Sequence, residues 1–223
     1  MKFQLLATAA FLASVTEALP ASQSASAIKC GITLDGRVPN NTPLSAFDTA
    51  ASPFNPDNTK GQNLTFSKII LLPAVQPSKF DVPTNKALEA TISDESIFVP
   101  APGKEQVGFR RVGLLLGNGS DESNVGVKTF HWSVKQDSAR LMNLTHEYLN
   151  VFHEANDFAS NQFSFGAGTL LNADQQIAAN VSAADLDKNL WKFLDRKNNI
   201  ISTTAISVDE WQNFAITLDY VKK

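Results

Sequence analysis

The chain has almost none of the chemistry that cysteine provides. Cys30 is its only cysteine, so no intramolecular disulfide can form, and zinc or iron–sulfur sites built on several thiolates are excluded. We expect this thiol to be buried, because apolar residues (Ile32, Leu34) follow it, with an intermolecular bond as the alternative. His146 and His153 would fall on opposite faces of one strand, so we expect no metal site.

The chain also has little excess of charge of either sign. The 19 Lys and Arg residues nearly balance the 22 Asp and Glu residues, which leaves a net charge of −3. The basic residues do not cluster on any one predicted element. We therefore expect no nucleic-acid partner, because a phosphate backbone requires a dense basic surface. A neutral ligand such as a polysaccharide suits this balance better.

No hydrophobic run is long enough to span a membrane. The run from Leu5 to Val15 is well short of the about 20 residues that a transmembrane helix needs. It follows the positive start Met1-Lys2 and precedes the small-x-small site Thr16-Glu17-Ala18, a pattern that predicts a signal peptide over residues 1–18. We therefore expect a secreted, extracellular protein that begins near Leu19 and has no membrane partner.

Asn-x-Ser/Thr acceptors agree with a secretory route. An occupied acceptor must lie on the surface, and acceptors behind a signal peptide favour a eukaryotic secreted protein. Some of these acceptors would arise by chance in a chain rich in Asn, Ser and Thr. We therefore expect only part of the acceptors to carry a glycan. The five predicted glycosylation sites are Asn40, Asn63, Asn118, Asn143 and Asn180.

Residues 19–223 form a chain of the right length for one all-β domain, which we expect to be a monomer. The segment Asp35–Pro56 is rich in proline, asparagine and serine and predicts an extended surface loop. Short strand-like segments dominate the rest, and Ala173–Asp187 predicts a surface helix or a long loop. The predicted strands are Ala87–Ile92, Gly108–Leu116, Val127–Lys135, His146–Phe152, Gln162–Phe165, Ile200–Ile206 and Asn213–Tyr220.

The aromatic content fits this all-β pattern. Fifteen Phe and three Trp residues among short strands favour a two-sheet sandwich with aromatic inner faces. By architectural analogy we expect a β-jelly roll, in which the outer surface of a curved sheet forms a concave groove for an extended chain. Such an analogy does not by itself fix the function.

Two arginines are candidate substrate-binding residues. If Gly108–Gly113 is a strand, Arg111 lies on one face with Phe109, and Arg110 lies on the other. One arginine would then face a ligand or a buried carboxylate, and the other would meet solvent. Two solvated or ion-paired arginines remain the alternative.

The candidate catalytic residues are one histidine and three glutamates. Alternation over 129–135 places His131 on a continuous polar face, opposite Phe130 and Trp132. Histidine there suits general acid–base chemistry, because its ordinary pKa is near neutrality; a plain surface histidine is the alternative. Glycoside hydrolysis needs two carboxyl groups, about 5 Å apart for retention and up to about 9.5 Å for inversion. The strand carboxylates Glu95, Glu147 and Glu154 are the candidates for this pair.

Six blocks, in order and at matching spacing over roughly residues 30–220, resemble glycoside hydrolase family 131. The blocks are Asp35–Pro39, Ser52–Pro56, Lys60–Thr65, Ile92–Phe98, Gly108–Arg111 and Asn143–Tyr148. The resemblance implies a secreted fungal β-jelly roll that acts on β-glucan with β-1,3, β-1,6 or β-1,4 linkages. It implies no organic cofactor.

The chain departs from the resembled pattern at two places. Family members often carry a Glu where this chain has Gly113, and they continue beyond the equivalent of Lys223 into strands with a groove-facing His. We therefore expect a domain that is incomplete at its C-terminus. Two function classes stay open: a β-glucan hydrolase, or a glucan-binding or host-interaction protein on the same fold that has lost catalysis.

Overall fold

A computed structural model describes residues 31–81, 83–117 and 122–222. The predicted signal peptide, Cys30 and the acceptor Asn118 lie outside these residues. Within them, strands predominate, helices are few and short, and every sheet is antiparallel. This confirms the prediction of a mainly β protein, while the jelly roll and its groove remain predictions. No helix in the described part of the chain is long and apolar enough to cross a membrane.

The first part of the described chain is built from very short elements around one apolar cluster. Two two-stranded sheets, β1 with β3 and β2 with β4, hold it together. The elements are β1 (Val38–Pro39), a 3₁₀ helix (Leu44–Asp48), α1 (Phe66–Ile69), β2 (Ile70–Leu71), β3 (Asn85–Lys86), β4 (Glu89–Ala90) and a second 3₁₀ helix (Asp94–Ser96).

The prediction that Asp35–Pro56 only wraps the surface is wrong. Val38, Phe47 and Phe54 from this segment are buried, and they pack with Phe66 and Ile69 in the apolar cluster. Proline and asparagine set the turns of this segment, but its spaced apolar side chains still enter the core because their burial is favourable. The segment is therefore part of the core.

Longer strands form the second part of the chain. Strand β5 (Val127–Val134) pairs with β10 (Gln212–Asp219) along its whole length. A four-stranded sheet has the order β6-β7-β8-β9, and the short helix α2 precedes β8. These elements are β6 (Glu147–Glu154), β7 (Asn161–Gly168), α2 (Ala173–Ala178), β8 (Leu190–Asp195) and β9 (Ile200–Ala205).

Aromatic rings join these two sheets. Phe165 on β7 is fully buried, and its ring centroid lies 5.3 Å from that of Trp132 on β5 and 4.7 Å from that of Phe214 on β10. Phe193 on β8 lies 4.9 Å from Phe165. The side of β5 and β10 that carries Trp132 and Phe214 is therefore covered by β7 and β8, and the opposite side carries the small polar residues.

Five of the seven predicted strands overlap β5, β6, β7, β9 and β10. The other two predicted strands need correction. Gly108–Leu116 forms no ladder and contributes only a single bridge between Leu116 and Phe54. Ala87–Ile92 shrinks to the two residues of β4, and Ala173–Asp187 becomes α2 followed by turns. Strand β8 was not predicted, because buried Lys192 interrupts its apolar run.

A bulge in β6 changes which side chains share a face. Asn150 has no partner, because Leu149 pairs with Gly166 and Val151 with the neighbouring Phe165. A Cβ at Gly166 would collide with the carbonyl oxygen of Tyr148, so glycine permits this close approach. Plain alternation would put Leu149 and Val151 on one face; instead Val151 packs in the aromatic core while Leu149 is exposed.

Candidate functional site

A cleft of about 270 Å³ lies between the four-stranded sheet and the connection that leads from β7 through α2. Its size is slightly below the usual range for drug-sized ligands, which suits a small ligand or a short part of a polymer. We call it the Glu147 cleft. Its lining mixes leucines with amide side chains and one carboxylate, and includes Glu147, Leu149, Asn161, Leu170, Asn172 and Gln175.

The backbone holds the carboxylate of Glu147 at this cleft. Its Oε2 accepts a hydrogen bond of 2.9 Å from the backbone N–H of Leu171. No other hydrogen bond to the side chain occurs among the described residues, so Oε1 is available to a ligand. The side-chain amides of Asn172, Gln175 and Asn198 likewise bond no other described residue. The cleft therefore offers hydrogen-bonding groups of the kind that sugar hydroxyls pair with.

Lys192 on β8 fastens the connection that covers the cleft. The residue is fully buried, and its Nζ donates to the carbonyl oxygens of Gly168 (3.1 Å), Asp187 (2.6 Å) and Leu190 (3.2 Å). Burial lowers the pKa of Lys192, while the negative charges of Asp187 and Glu147 act in the opposite direction. The ammonium thus ties both ends of the 168–187 connection to the sheet.

His131 lies on a different surface, as alternation predicts. It is exposed on β5 opposite Ala215, and the ring of Phe80 meets it edge-on at 5.2 Å. We call this surface the β5–β10 face and define it by three cross-strand pairs. These pairs are Thr129 with Thr217, His131 with Ala215, and Ser133 with Asn213. None of them contains a carboxylate.

The two arginines differ in their partners. Arg110 forms an exposed ion pair with Asp94, at 2.8 Å from Nη2 to Oδ1, an interaction that contributes little to stability. The Arg111 guanidinium lies 4.7 Å from the centroid of the Phe109 ring, and it makes no ion pair among the described residues. Arg111 is therefore the arginine that can receive a ligand. No described contact joins it to His131 or Glu147.

The structure keeps two of the three candidate glutamates, Glu147 and Glu154, far apart. Glu147 and Glu154 stand at opposite ends of β6, and at about 3.3 Å per residue they are roughly 20 Å apart. Glu95 lies in the 3₁₀ helix Asp94–Ser96 and not on a strand, which corrects the prediction, because Ser93 caps a tight turn there. All three side chains are exposed. Of the three, Glu147 is the one that lines the Glu147 cleft.

The comparison with protein families decides the assignment. A model described as the glycoside hydrolase 131 catalytic N-terminal domain matches residues 32–223, which is most of the chain. The chain belongs to glycoside hydrolase family 131. The resemblance seen in the sequence is thereby confirmed. A comparison with curated proteins finds no match.

Gly113, at which the resemblance implies a glutamate in other members, is closely packed. Its N–H donates to Thr59 O at 2.8 Å, and its carbonyl accepts from Asn58 Nδ2 at 3.0 Å. A Cβ at this position would lie 2.6 Å from Asn58 Nδ2. Asn58 thus fills the space into which a side chain at 113 would project.

Four of the predicted acceptor asparagines lie on the surface of this family 131 domain. Asn40, Asn63, Asn143 and Asn180 are all exposed, as attachment of a glycan requires. Their occupancy stays a prediction.

Two residues that support the Glu147 cleft, Leu171 and Lys192, were not predicted from the sequence. Leu171, whose N–H binds the carboxylate, carries no side-chain signal for that role. Lys192 does carry one: a single lysine inside the apolar run 190–194 is unusual, because lysine is seldom fully buried unless its charge is paired or hydrogen-bonded. This signal could have identified both β8 and the anchored connection.

Proposed function

We propose that this family 131 member is a secreted hydrolase of β-glucan whose active site is the Glu147 cleft. The observation that carries the proposal is the position of Glu147, which lines the Glu147 cleft, as Glu95 and Glu154 do not, in a domain of a catalytic family. The β-1,3, β-1,6 and β-1,4 linkages that the resemblance implies define the substrate class.

Glu147 would act on the glycosidic bond through its available oxygen. The N–H of Leu171 fixes Oε2. Oε1 would therefore be the oxygen that gives a proton to a bound sugar or takes one from water. As the acid it would protonate the leaving oxygen; as the base it would take a proton from the attacking water. The amides of Asn172 and Gln175 would hold the sugar hydroxyls, and Arg111 remains a candidate for binding a more distant part of the chain.

A second candidate is glucan binding without hydrolysis, and one observation favours it. Hydrolysis by the usual route needs a second carboxyl group within about 9.5 Å of the first. Glu147 is the only carboxylate in the described lining of its cleft, Glu154 stands at the far end of β6, and Gly113 lacks a side chain. A protein of this kind would still bind the polymer and would serve in recognition.

The two candidates are separated by measuring release and binding together. Reducing-sugar release from laminarin and mixed-linkage glucan is compared with retention on insoluble β-glucan. Release above that of buffer supports the hydrolase, and retention without release selects the binding protein. A protein that shows no release and no retention would overturn both candidate functions.

Arg111 and Arg110 provide a matched pair for the binding site. Arg111→Ala should weaken glucan binding, because its guanidinium has no acidic partner in the described structure, while the free energy of unfolding changes by less than about 1 kcal/mol. Arg110→Ala, which removes an exposed ion pair with Asp94 and hydrogen bonds to the carbonyl oxygens of Val107 and Phe109, is the control. Equal loss of binding in both variants, or none in either, would remove Arg111 from the substrate-binding residues.

We also propose an extracellular location and a monomeric state. The sequence pattern of residues 1–18 supports secretion, and the exposure of four acceptor asparagines is compatible with glycosylation.

A further inference from the structure

We propose that a pocket beside Asn40 holds the first N-acetylglucosamine of a glycan attached to that residue, and that the docked sugar stabilises the domain. The pocket is distinct from the Glu147 cleft and lies where β1 pairs with β3. The inference rests on the secretory route proposed above and not on the hydrolysis of glucan.

The pocket is small and its lining carries no charge. Its volume is about 330 Å³, at the lower end of the about 300–1,000 Å³ that is usual for small-molecule sites, which suits one sugar unit. The lining has no ionisable side chain, and this favours a neutral ligand. The lining residues are Pro39, Asn40, Asn41, Pro83, Thr84 and Asn85.

A buried amide in this lining has no partner. Asn85 is only 8 % exposed, and its side chain makes no hydrogen bond to any other described residue. A buried polar group without a partner costs free energy, so such a group usually binds a ligand or an ordered water. The side chains of Asn41 and Thr84 also bond no other described residue. The pocket therefore presents unused donors and acceptors to an occupant.

N-acetylglucosamine matches the groups of the lining. Its hydroxyls and its acetamide can pair with the amides of Asn41 and Asn85 and with the hydroxyl of Thr84. Its ring also has an apolar face, for which the rings of Pro39 and Pro83 provide apolar surface. The sugar thus finds both kinds of contact in one pocket.

Asn40 is held with its amide at the pocket. Its backbone N–H donates to Thr84 O at 2.8 Å, and its side-chain Nδ2 donates to Pro83 O at 3.0 Å. Both acceptors belong to residues of the lining. Asn40-Asn41-Thr42 is an Asn-x-Thr acceptor, and glycosylation replaces one of the two Nδ2 hydrogens. The other hydrogen can still bind Pro83 O, so the sugar is attached at the pocket itself.

The attachment is a group transfer from a lipid diphosphate-linked oligosaccharide, which the secretory route supplies. A bond forms between Nδ2 of Asn40 and C1 of the sugar, the C1–O bond to the diphosphate breaks, and the amide loses one proton. The turn that follows Asn40 is rigid, because Thr42 N–H donates to Pro39 O at 3.0 Å and Lys86 Nζ donates to Thr42 O at 2.8 Å. A sugar docked beside this turn binds the folded chain only, and such binding raises stability.

Asn63 provides a matched control. This acceptor is also exposed, but its side chain makes no hydrogen bond to any described residue, and it is not part of the lining of the pocket. The protein therefore does not hold the amide of Asn63 in one orientation, and a glycan attached there should extend into solvent.

The test uses the full chain secreted from a eukaryotic host that attaches high-mannose glycans, with occupancy determined by glycopeptide mass spectrometry. Thr42→Ala prevents attachment at Asn40 and leaves every lining residue in place, and Asn63→Gln removes the control glycan. Melting temperatures are measured before and after endoglycosidase H, which leaves one N-acetylglucosamine on each asparagine. Rates of glycan release by peptide N-glycosidase F are measured at Asn40 and Asn63 in the native wild-type protein.

We expect Thr42→Ala to melt about 2–4 °C below wild type, the shift that one or two net hydrogen bonds produce in a domain of this length. Asn63→Gln should melt with wild type. Endoglycosidase H should leave the wild-type melting temperature unchanged, because the first sugar remains. Release should be at least about tenfold slower at Asn40 than at Asn63, since the enzyme acts on the undocked sugar, and the two rates should be equal after denaturation.

Three results would each overturn the inference: no glycan at Asn40, equal melting temperatures of wild type and Thr42→Ala, or equal release rates at Asn40 and Asn63 in the native protein. If Thr42→Ala does not fold, the release rates of the wild-type protein decide. Loss of glucan binding in a folded Thr42→Ala variant would assign the pocket to the substrate and also overturn the inference. A wild-type protein that neither binds nor hydrolyses glucan overturns the proposed function alone.

Discussion

Truncation of Phe165 should be one of the most destabilising single changes in this domain. The ring is fully buried on β7, and it contacts rings from both sheets. The centroid distances are 4.9 Å to Trp191, 4.9 Å to Phe193, 5.3 Å to Trp132 and 4.7 Å to Phe214. A buried Phe→Ala change typically costs about 3–5 kcal/mol, and each aromatic pair adds about 0.5–1.5 kcal/mol beyond its buried area.

The pair terms do not add fully, so we expect Phe165→Ala to lower the free energy of unfolding by about 5 kcal/mol. That is a large part of the about 5–15 kcal/mol that stabilises a typical domain. Equilibrium urea unfolding, with comparison of midpoints at constant m-value, measures the loss. If the alanine variant does not fold, Phe165→Leu keeps most of the apolar volume and should lose a smaller, measurable amount.

Phe158 supplies the matched control for this prediction. Its side chain is 80 % exposed in the turn between β6 and β7, so Phe158→Ala should change the free energy of unfolding by no more than about 0.5 kcal/mol. A loss below about 1.5 kcal/mol for Phe165→Ala, or an equal loss for both alanine variants, would refute the view that this aromatic layer joins the two sheets.

Three further predictions address pH, catalysis and secretion. Burial acts to raise the pKa of Asp195 in the β8–β9 turn, but hydrogen bonds from Asn199 and Lys197 outweigh it and lower the pKa. Because the folded-state pKa is lowered, the ionised Asp195 stabilises the folded protein above pH about 4. This contribution is lost as the pH falls through the folded-state pKa. Unfolding free energies of wild type and Asp195→Ala should converge at acid pH, and a constant difference down to pH 2 would contradict this. If the protein only binds glucan because position 113 lacks a carboxylate, Gly113→Glu combined with Asn58→Ser, which frees the space, should restore glucan hydrolysis; an unchanged rate would exclude position 113 from catalysis. Secretion from a eukaryotic host should yield a mature chain that begins near Leu19 and shifts in gel mobility on deglycosylation, whereas an intact Met1 would refute the signal peptide.

Strands with strict alternation could be predicted from the sequence. In 129–134, polar and large apolar residues alternate without interruption, and the structure places them on the predicted faces of β5. Alternation is a reliable signal there because β5 and β10 expose one side to solvent and bury the other. His131 was therefore placed on its correct surface before its neighbours were known.

The faces of β6 could not be predicted because they depend on tertiary structure. The bulge at Asn150 requires the close approach of a neighbouring strand at Gly166. No pattern within residues 147–154 predicts this bulge. The distance between Glu147 and Glu154 was equally inaccessible until both were known to lie on one extended strand. The sequence therefore indicates candidate residues but not which of them share a site.

Burial of irregular segments was the other limit. Phe47 and Phe54 sit among residues that favour turns, and the turn signals were read correctly. Local patterns cannot report which apolar side chain of a loop inserts into the core, because that is decided by the elements it packs against. The same holds for Lys192, whose burial depends on carbonyl groups from Gly168 and Asp187.

The central claim, that the Glu147 cleft hydrolyses β-glucan, is tested most directly by Glu147→Gln. The substitution keeps the size of the side chain and its carbonyl acceptor for Leu171 N–H but removes the acid–base group. Initial rates of reducing-sugar release from laminarin are compared between wild type and variant, with Glu154→Gln as the matched control. We predict that wild type and Glu154→Gln release sugar at similar rates and that Glu147→Gln is slower by about 10²- to 10⁴-fold while still binding insoluble glucan. Equal release by Glu147→Gln and wild type would contradict the account.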